Sequence, residues 1–435
     1  MSNTAIALIG ILILLILLVA GMNIGAAMMA VGFFGVWFFR GFGPAMTTFA
    51  TVPFSQATNY SFAVIPLFVL MGQFAYMSGI SSDLFDFADK WLGGLKGGLA
   101  MATVAACAAF SAICGSTAAT AATMGVVALP EMRKYGYDDG LACGSIAAGG
   151  TLGILIPPST GFIIYGIVAG QSIGKLFAAG VMPGLLLAFC YIVSIAITVR
   201  VNPKLAPKGK KYSWKEKIIA IKGGLGMVIL FAIVIGGMFS GLLSANEASC
   251  VGAFVGLLFM AFKRQLTWKN FVTCLRDTLK TTGMVLFILI GAYVFGQFLT
   301  FSRLPITLAN WVGTLNVSRY VVLLVVIIMY VILGCFMDSL AMVMLTVPIF
   351  KPIFEALGFD MIWYGVVMIM VMECGLITPP VGMNVYIVSG VAKDVPLMKI
   401  FKGVAPMVVG MVVAILLICI FPNIALWLPG ITAGS

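Results

Sequence analysis

The sequence predicts an all-α integral membrane protein made of two inverted repeats, each with five spans and one re-entrant hairpin. Composition is the first indication: 62% of the 435 residues are hydrophobic and only 9% are charged, whereas a soluble domain has about 45–50% apolar and about 25% charged residues. Even a large soluble core could not hold this much apolar surface. A soluble globular protein, a disordered chain and a nucleic-acid-binding protein are therefore excluded.

Apolar runs long enough to cross a bilayer, which takes about 20 residues, recur along the chain. The uninterrupted runs lie at about 5–20, 23–39, 60–79, 177–199, 225–241, 246–262, 282–300 and 404–421. The first resembles a signal-peptide core, but it lacks a basic segment before it and a span follows at once, so we expect a retained helix. Segments 81–96, 263–281 and 303–318 mix charged and apolar residues, which predicts amphipathic helices at the interface.

Four further apolar stretches are broken near the middle. Stretches 97–129 and 319–350 contain small polar residues at 114–117 and 334–339 and are interpreted as re-entrant hairpins. Stretches 141–170 and 361–391 contain Pro157-Pro158 and Pro379-Pro380. A continuous helix is implausible there, because proline removes a helical N–H and clashes with the preceding turn. We expect these two stretches to cross the bilayer as broken helices.

The distribution of basic residues predicts the orientation. If the chain starts outside, 20 of the 25 Lys and Arg residues fall on the cytoplasmic side. The opposite orientation would reverse this ratio and violate the positive-inside rule. Both termini are therefore predicted to face the periplasm. The net charge of +11 is explained by this bias and does not indicate nucleic-acid binding.

The two halves of the chain resemble each other at an offset near 222 residues. The matched landmarks include Trp91 and Trp311, 135–138 (YGYD) and 357–360 (LGFD), Ser116 and Ser339, and the two Pro-Pro pairs. Because each half has an odd number of crossings, the second copy enters the bilayer upside down. We assign the first repeat to 1–205, a basic cytoplasmic linker to 206–222 and the second repeat to 223–435, within one domain spanning 1–435.

Inverted repeats with broken helices are typical of secondary transporters, whose site lies at mid-membrane where the repeats meet. Freed carbonyls and hydroxyls at such breaks suit Na⁺, while half-helix N-termini present N–H groups to an anion. The residues expected to contact a substrate are Ser116, Thr117, Thr151, Ser159, Asp338, Ser339 and Asn384. For Thr120 and Thr346, a hydroxyl that bonds back to its own helix is the favoured interpretation.

Three acidic residues lie within or beside apolar runs, where a carboxylate is costly and is a functional candidate. Asp338 lies at a hairpin tip and is the best candidate for a cation or proton partner. Glu373 either has such a role or holds the loop after it by accepting N–H bonds. Glu247 follows Ser244 at the start of a span, which favours a helix cap.

Other chemistries are excluded by what the sequence lacks. It contains no histidine, which removes His-based catalysis and His-ligated zinc. The nine cysteines form no CxxC pair and are interpreted as small buried hydrophobic residues. There is no phosphate-binding loop, so ATP hydrolysis is excluded and a gradient or a partner must drive transport.

Three segments carry a family resemblance: 110–116 (FSAICGS), 150–159 (GTLGILIPPS) and 373–384 (ECGLITPPVGMN). Together they resemble the large membrane subunit, DctM-like, of tripartite ATP-independent periplasmic (TRAP) transporters, and the similarity extends over essentially the whole chain. This family is part of a wider ion-transporter superfamily. The resemblance implies a monomeric elevator with a scaffold domain and a transport domain. It also implies import of an organic acid such as a C4-dicarboxylate or sialic acid, driven by Na⁺, across the bacterial inner membrane.

The resemblance further implies partners and ion ligands. The partners are a small four-helix membrane subunit, expected as a separate chain because Met1 opens directly into the first span, and a periplasmic substrate-binding protein. The first Na⁺ is expected at Ser111, Cys114, Gly153, Ile156 and Pro158, and the second at Gly334, Gly375, Thr378 and Val381. Cys114 departs from the family, where this position is commonly serine. A required hydroxyl would make the first site weaker, whereas a carbonyl ligand would leave it unchanged.

Two other hypotheses remain open: a stand-alone symporter or exchanger, and a channel or membrane enzyme. A stand-alone anion symporter or exchanger of the divalent-anion type would transport without partners. A channel would show single-channel currents. A membrane enzyme would need a nucleophile and a base, which this histidine-free sequence does not supply.

Overall fold

The computed structural model describes residues 2–207, 209, 212–315 and 317–432, and every regular element in this part of the chain is helical. Seven of its helices are long and apolar enough to cross a membrane. They are Tyr60–Met77, Ile173–Val201, Trp214–Phe239, Ala245–Phe262, Trp268–Ser302, Ser339–Ala356 and Leu397–Ile420. The predicted all-α membrane fold is confirmed.

The helices of the first half have 10 to 18 residues, except the last, which has 29. They are α1 (Asn3–Val19), α2 (Ile24–Arg40), α3 (Phe42–Ala57), α4 (Val64–Met77), α5 (Ile80–Leu92), α6 (Gly98–Cys114), α7 (Thr117–Lys134), α8 (Asp139–Thr151), α9 (Thr160–Ala169) and α10 (Ile173–Val201). Short 3₁₀ turns lie at Tyr60–Ala63, Leu152–Ile154 and Pro203–Leu205.

The second half follows the same order. Its helices are α11 (Trp214–Phe231), α12 (Gly237–Phe239), α13 (Ala245–Phe262), α14 (Trp268–Ser302), α15 (Leu304–Thr314), α16 (Arg319–Gly334), α17 (Ser339–Ala356), α18 (Met361–Leu376), α19 (Met383–Val391), α20 (Leu397–Ile420) and α21 (Asn423–Thr432). A π-helical turn at Ala232–Gly236 connects α11 to α12.

All four predicted breaks are present. The first hairpin is α6 and α7, and the second is α16 and α17. The first Pro-Pro pair separates α8 from α9, and the second separates α18 from α19; both Pro-Pro peptide bonds are cis. Three of the four breaks are followed by a capped helix, since Ser116, Ser159 and Asp338 accept hydrogen bonds from backbone N–H groups of the helix that begins next. The fourth, before α19, ends at Gly382 and has no side-chain cap.

Three details differ from the prediction. Segment 263–281 does not form a separate interface helix; most of it belongs to α14, a single 35-residue helix that Thr267 caps and no glycine or proline interrupts before Gly283. Helix α3 was not predicted, because Pro53 and several polar residues break up its apolar run. The linker 206–222 is helical from Trp214 onward, where Ser213 and Glu216 form a capping box; its residues 208, 210 and 211 lie outside the described residues.

The two halves interlock through reciprocal contacts. Helix α2 packs on α14 and α4 packs on α13, while α9 contacts α17 and α19 contacts α7. Glycine permits the closest approach: a Cβ at Gly291 would lie 2.4 Å from the carbonyl oxygen of Gly25, and such small residues let membrane helices pack backbone to backbone. Each interrupted helix therefore meets the second limb of the other half's hairpin.

Candidate functional site

The first hairpin tip (114–117) packs directly on the loop 152–159 between α8 and α9; this junction is called the first centre. Gly115 has φ +61°, a left-handed conformation that favours glycine. A Cβ there would lie 2.7 Å from the Pro158 carbonyl oxygen, and a Cβ at Gly153 would lie 2.5 Å from the Ser116 carbonyl oxygen. The Thr160 hydroxyl donates to the Gly115 carbonyl at 2.7 Å. The predicted ion ligands Gly153 and Pro158 thus face the hairpin tip.

The other predicted ligands of the first centre lie at its edge. The Ser111 hydroxyl donates to the Cys107 carbonyl at 2.5 Å, one turn before the tip. Cys114 is the last residue of α6, and its sulfur lies 4.0 Å from the Ser116 carbonyl oxygen. Ile156 is buried in the loop and contacts Gly184 of α10. Carbonyl and hydroxyl oxygens therefore surround the tip, which is the donor chemistry that hard cations prefer.

Thr120 is the unexpected member of this group. Its hydroxyl is fully buried beside the Cys114 thiol and has no hydrogen-bond partner within bonding geometry in the described part of the chain. The expectation that it bonds back to its own helix is wrong. The same expectation for Thr346 is right, because that hydroxyl donates to the Met342 carbonyl at 2.6 Å. A buried hydroxyl without a partner, next to backbone carbonyls, is a place where an ion or a water can bind.

The second centre is the equivalent junction of the second hairpin tip (334–339) with the loop 377–382 between α18 and α19. A Cβ at Gly375 would lie 2.6 Å from the Cα of Gly334, so the two backbones touch. The Thr378 hydroxyl donates to the Cys374 carbonyl at 2.6 Å. The Cys335 thiol lies 3.3 Å from the Pro379 carbonyl oxygen. Val381 lies half-buried in the same loop.

Glu373 joins the two hairpins. The Ser339 hydroxyl donates to its Oε1 at 2.7 Å, and the Thr117 hydroxyl donates to its Oε2 at 2.9 Å. The expected substrate contacts Thr117 and Ser339, which are 222 residues apart, therefore converge on one carboxylate. The interpretation that Glu373 holds its own loop through N–H groups does not describe these partners, which are hydroxyls of two hairpins.

Ser116, Ser159 and Asp338 have partners close to them in the sequence, whereas Asn384 bonds to a helix of the other half. Ser116 caps α7 and Asp338 caps α17. Ser159 caps α9 and also donates to the Ile154 carbonyl. The Asn384 amide donates to the Ala147 carbonyl at 3.0 Å. Glu247, by contrast, forms the predicted capping box with Ser244 and is exposed.

Two features at the site were missed by sequence reasoning. Tyr191 of α10 is fully buried and its hydroxyl lies 2.8 Å from the Thr151 hydroxyl; no local pattern connects residues 40 positions apart. A cleft of about 500 Å³ also opens between the α9–α10 turn on one side and, on the other, the 3₁₀ turn before α4, the α12–α13 turn and α14. Its polar lining includes Asn59, Ser61, Gln171, Ser172, Ser244 and Tyr293.

The amino-acid sequence matches a known protein family. Residues 11–424 match the family described as "Tripartite ATP-independent periplasmic transporter, DctM component". The chain belongs to this family. It is thus a TRAP large permease, a multi-pass membrane subunit of a secondary transporter, and its relatives are transport proteins.

Curated relatives of this TRAP permease have different named substrates. It is 37% identical over 377 residues to the C4-dicarboxylate TRAP transporter large permease protein DctM of Pseudomonas aeruginosa. The aligned residues cover 86% of this chain and 88% of that protein. It is 34% identical to the sialic acid large permease SiaM of Vibrio cholerae, over 86% of this chain and 88% of that protein. It is 31% identical to the ectoine large permease TeaC of Halomonas elongata, over 85% and 86%.

Solved structures share the fold of this TRAP permease at low sequence identity. The Alcanivorax borkumensis YdaH transporter, described as having an unusual topology, aligns over 89% of this chain and 88% of its own with a TM-score of 0.59 and 14% identity. Neisseria gonorrhoeae MtrF aligns over 88% and 84% with a TM-score of 0.57 and 15% identity. These likenesses support the architecture alone.

Proposed function

We propose that this permease imports an organic acid across the bacterial inner membrane, driven by a Na⁺ gradient. A periplasmic binding protein delivers the substrate, and a separate small membrane subunit docks on the scaffold. The observation that carries the proposal is the meeting of two hairpin tips and two interrupted helices around the buried Glu373 carboxylate. Irregular backbone at membrane depth persists only where it lines a protein-enclosed or watery cavity, and two such breaks per half indicate a transport site.

The two centres supply the proposed Na⁺ sites. At the first, carbonyl oxygens near Gly153, Ile156 and Pro158 combine with the Ser111 hydroxyl, and Cys114 lies at the tip. At the second, Gly334, Gly375, Thr378 and Val381 provide the oxygens. The unpaired Thr120 hydroxyl beside Cys114 supports a hard cation here, because it adds an oxygen next to a soft thiol.

The substrate is proposed to be a carboxylate bound where α7 and α17 begin. The first turns of these helices point N–H groups toward the tips, and helix N-termini stabilise anions. Ser116, Thr117, Ser339, Asp338 and Asn384 border this region. C4-dicarboxylates and sialic acid, named for two relatives, are the first compounds to test.

The proposed movement is an elevator step. Helices α1–α4 and α11–α14 would form the scaffold, and both hairpins with α8–α10 and α18–α21 would form the moving domain. The cleft of about 500 Å³ supports this division, because it lies between α9–α10 on one side and the turn before α4, the α12–α13 turn and α14 on the other. Helices α5 and α15 connect each scaffold part to a hairpin and would act as arms.

Reconstitution tests the proposal. The permease is placed in liposomes with the small subunit, and its binding protein is first screened by thermal shift against carboxylates. We expect uptake of the bound carboxylate only with an inward Na⁺ gradient and with the binding protein present. Uptake at the same rate in choline would contradict Na⁺ coupling, and uptake without the binding protein would indicate a stand-alone symporter.

A further inference from the structure

Among the described residues, Glu373 is the only charged side chain that is fully buried. No Lys or Arg in the described part of the chain forms an ion pair with it. Its two oxygen atoms are instead occupied by two hydroxyl donors, one from each hairpin. Burying a carboxylate is expensive unless it is hydrogen-bonded, so this geometry has to offset a substantial penalty.

The two donors hold equivalent positions in the two hairpins. Thr117 is the first residue of α7 and Ser339 is the first residue of α17, each directly after the capping residue. The carboxylate therefore lies at the beginning of two helices of 18 residues each. Their positive ends stabilise a negative charge at this point. A single side chain thus holds both hairpin tips.

The first half has no equivalent of this carboxylate link between the hairpin tips in the described structure. The residue 222 positions before Glu373 is Thr151, whose hydroxyl is bonded to the Ala148 carbonyl and to Tyr191. Thr151 is not hydrogen-bonded to either hairpin in the described structure. Within the described part of the chain, the second half therefore supplies the only side-chain link of this kind between the two tips.

We propose that Glu373 is a positioning residue that couples the two cation centres, so that Na⁺ at one centre raises the affinity of the other. The proposal rests on the Na⁺ sites of the proposed function. Thr117 belongs to the tip that carries Cys114 and Gly115, and Ser339 belongs to the tip that begins at Gly334. A shift of one tip on ion binding displaces one oxygen of the carboxylate. The other oxygen moves with it and acts on the other tip.

Coupling of this kind is measurable without knowing the substrate. The full-length permease, co-purified with its small subunit, is titrated with NaCl against choline chloride at constant ionic strength. Na⁺ binding is followed at a fixed temperature by the change in tryptophan fluorescence, and the melting temperature is recorded in NaCl and in choline chloride. Two coupled sites give an apparent Hill coefficient near two, and loss of coupling lowers it to about one.

Thr117→Val and Ser339→Ala each remove one hydroxyl donor and keep the carboxylate and its other bond. We expect both variants to bind Na⁺ with a Hill coefficient of about one and with about 5- to 150-fold weaker affinity at one centre. Thr117→Ser keeps the hydroxyl and should restore the wild-type coefficient. Ser145→Ala is the matched control, because that buried hydroxyl bonds only to Ala142 within its own helix. Its Na⁺ titration should equal that of the wild type.

The outcomes separate the two proposals. A wild-type protein that Na⁺ stabilises no more than choline does would overturn the Na⁺ sites and the coupling together. A Na⁺-stabilised wild type whose Hill coefficient is unchanged in both Thr117→Val and Ser339→Ala would overturn the coupling alone. Glu373→Gln provides a further comparison, since it removes the charge at the same size; if it folds, it should also give a coefficient of about one.

Discussion

The first and second centres follow the same scheme but differ in how they are closed. The loop of the first centre is buried throughout 151–160, and its hairpin tip has only two residues between helices. The tip of the second centre has four, Phe336 is 61% exposed, and Pro379 and Pro380 are exposed. Direct hydrogen bonds from Thr160 hold the first centre, whereas glycine contacts and a thiol hold the second. We therefore expect the first centre to be rigid and the second to move.

Adding a methyl group at the glycine of each centre should give the largest effects. In Gly153→Ala the new Cβ would lie 2.5 Å from a backbone oxygen, and in Gly375→Ala it would lie 2.6 Å from a backbone Cα. Backbone cannot rotate away, and overpacking costs about 1–3 kcal/mol. We expect Gly153→Ala to lower the melting temperature more, because the exposed second tip can move outward and relieve the overlap.

Gly390→Ala is the control for this pair, since nothing lies within 4 Å of an added Cβ in α19. Its melting temperature should stay the same or rise, because alanine favours a helix by about 1 kcal/mol over glycine. A larger loss in Gly375→Ala than in Gly153→Ala would contradict the difference in rigidity between the centres.

One threonine in each hairpin separates ion binding from stability. Thr346→Val removes a donor to the Met342 carbonyl and an acceptor for the Tyr330 hydroxyl. Leaving buried polar groups unpaired costs about 1–3 kcal/mol, so this variant should be less stable with an unchanged Na⁺ midpoint. Thr120→Val removes a hydroxyl that lies beside the Cys114 thiol and has no hydrogen-bond partner among the described residues. We expect little change in stability and a Na⁺ midpoint about tenfold higher, equivalent to about 1.4 kcal/mol.

Melting curves with and without Na⁺ on the two purified variants check this pair. A Na⁺ midpoint that is unchanged in Thr120→Val would remove this residue from the first centre. A shifted midpoint in Thr346→Val would show that the second hairpin transmits its packing to the ion sites.

The membrane fold was predictable because its signals are local. Runs of apolar residues indicated most spans, and the double prolines located two breaks. Helix boundaries that depend on capping residues were harder to predict. Helix α14 begins after its cap Thr267 and continues to Ser302, so the charged segment at its start and the apolar span that follows form one helix. Helix α3 escaped prediction since Pro53 occurs within it. A proline in a helix reads as a break when only the sequence is known.

The site was predictable only as a set of breaks. The tips and loops could be identified, but the contacts between them are long-range: Thr117 and Glu373 are 256 residues apart. Close glycine packing at Gly153 and Gly375 gives no sequence signal beyond the glycine itself. For the same reason the sequence alone does not decide whether Glu373 binds a cation or holds its own loop, since its partners belong to hairpins that only the folded chain brings together.

The two hairpins also differ at the end of the second helix, opposite the tip. Arg133, near the end of α7, pairs with Asp139 of α8 and with Asp394 before α20, both at 2.8 Å. Lys399 pairs with Asp138 at 2.9 Å. In α17 the residue at the equivalent position is the acidic Glu355, which pairs with Lys351 of the same helix at 3.7 Å. The first hairpin is thus tied to both halves of the chain at this end as well.

These ion pairs predict the smallest effect, and it depends on pH. The pKa of the Asp394 carboxyl is lowered because Arg133 donates a hydrogen bond to it and attracts its charge. Burial acts to raise the pKa of Asp138, but hydrogen bonds from Lys399 and from two backbone N–H groups outweigh it, so that pKa is lowered too. A lowered pKa in the folded state means that the stabilisation is complete above the unfolded value of about 3.9. It is lost as the pH falls through the lower folded value.

Asp394→Asn tests this dependence. At pH 7 we expect its melting temperature to fall by roughly a degree or less, because exposed ion pairs contribute little. Below about pH 4 the wild-type and variant curves should approach each other, since the wild-type carboxyl then becomes neutral. Asp277→Asn, at a position with no ion pair among the described residues, should show no such convergence. A difference that widens on acidification would mean that Arg133 does not hold the first hairpin through this carboxylate, and the greater rigidity of the first hairpin would then rest on its tip alone.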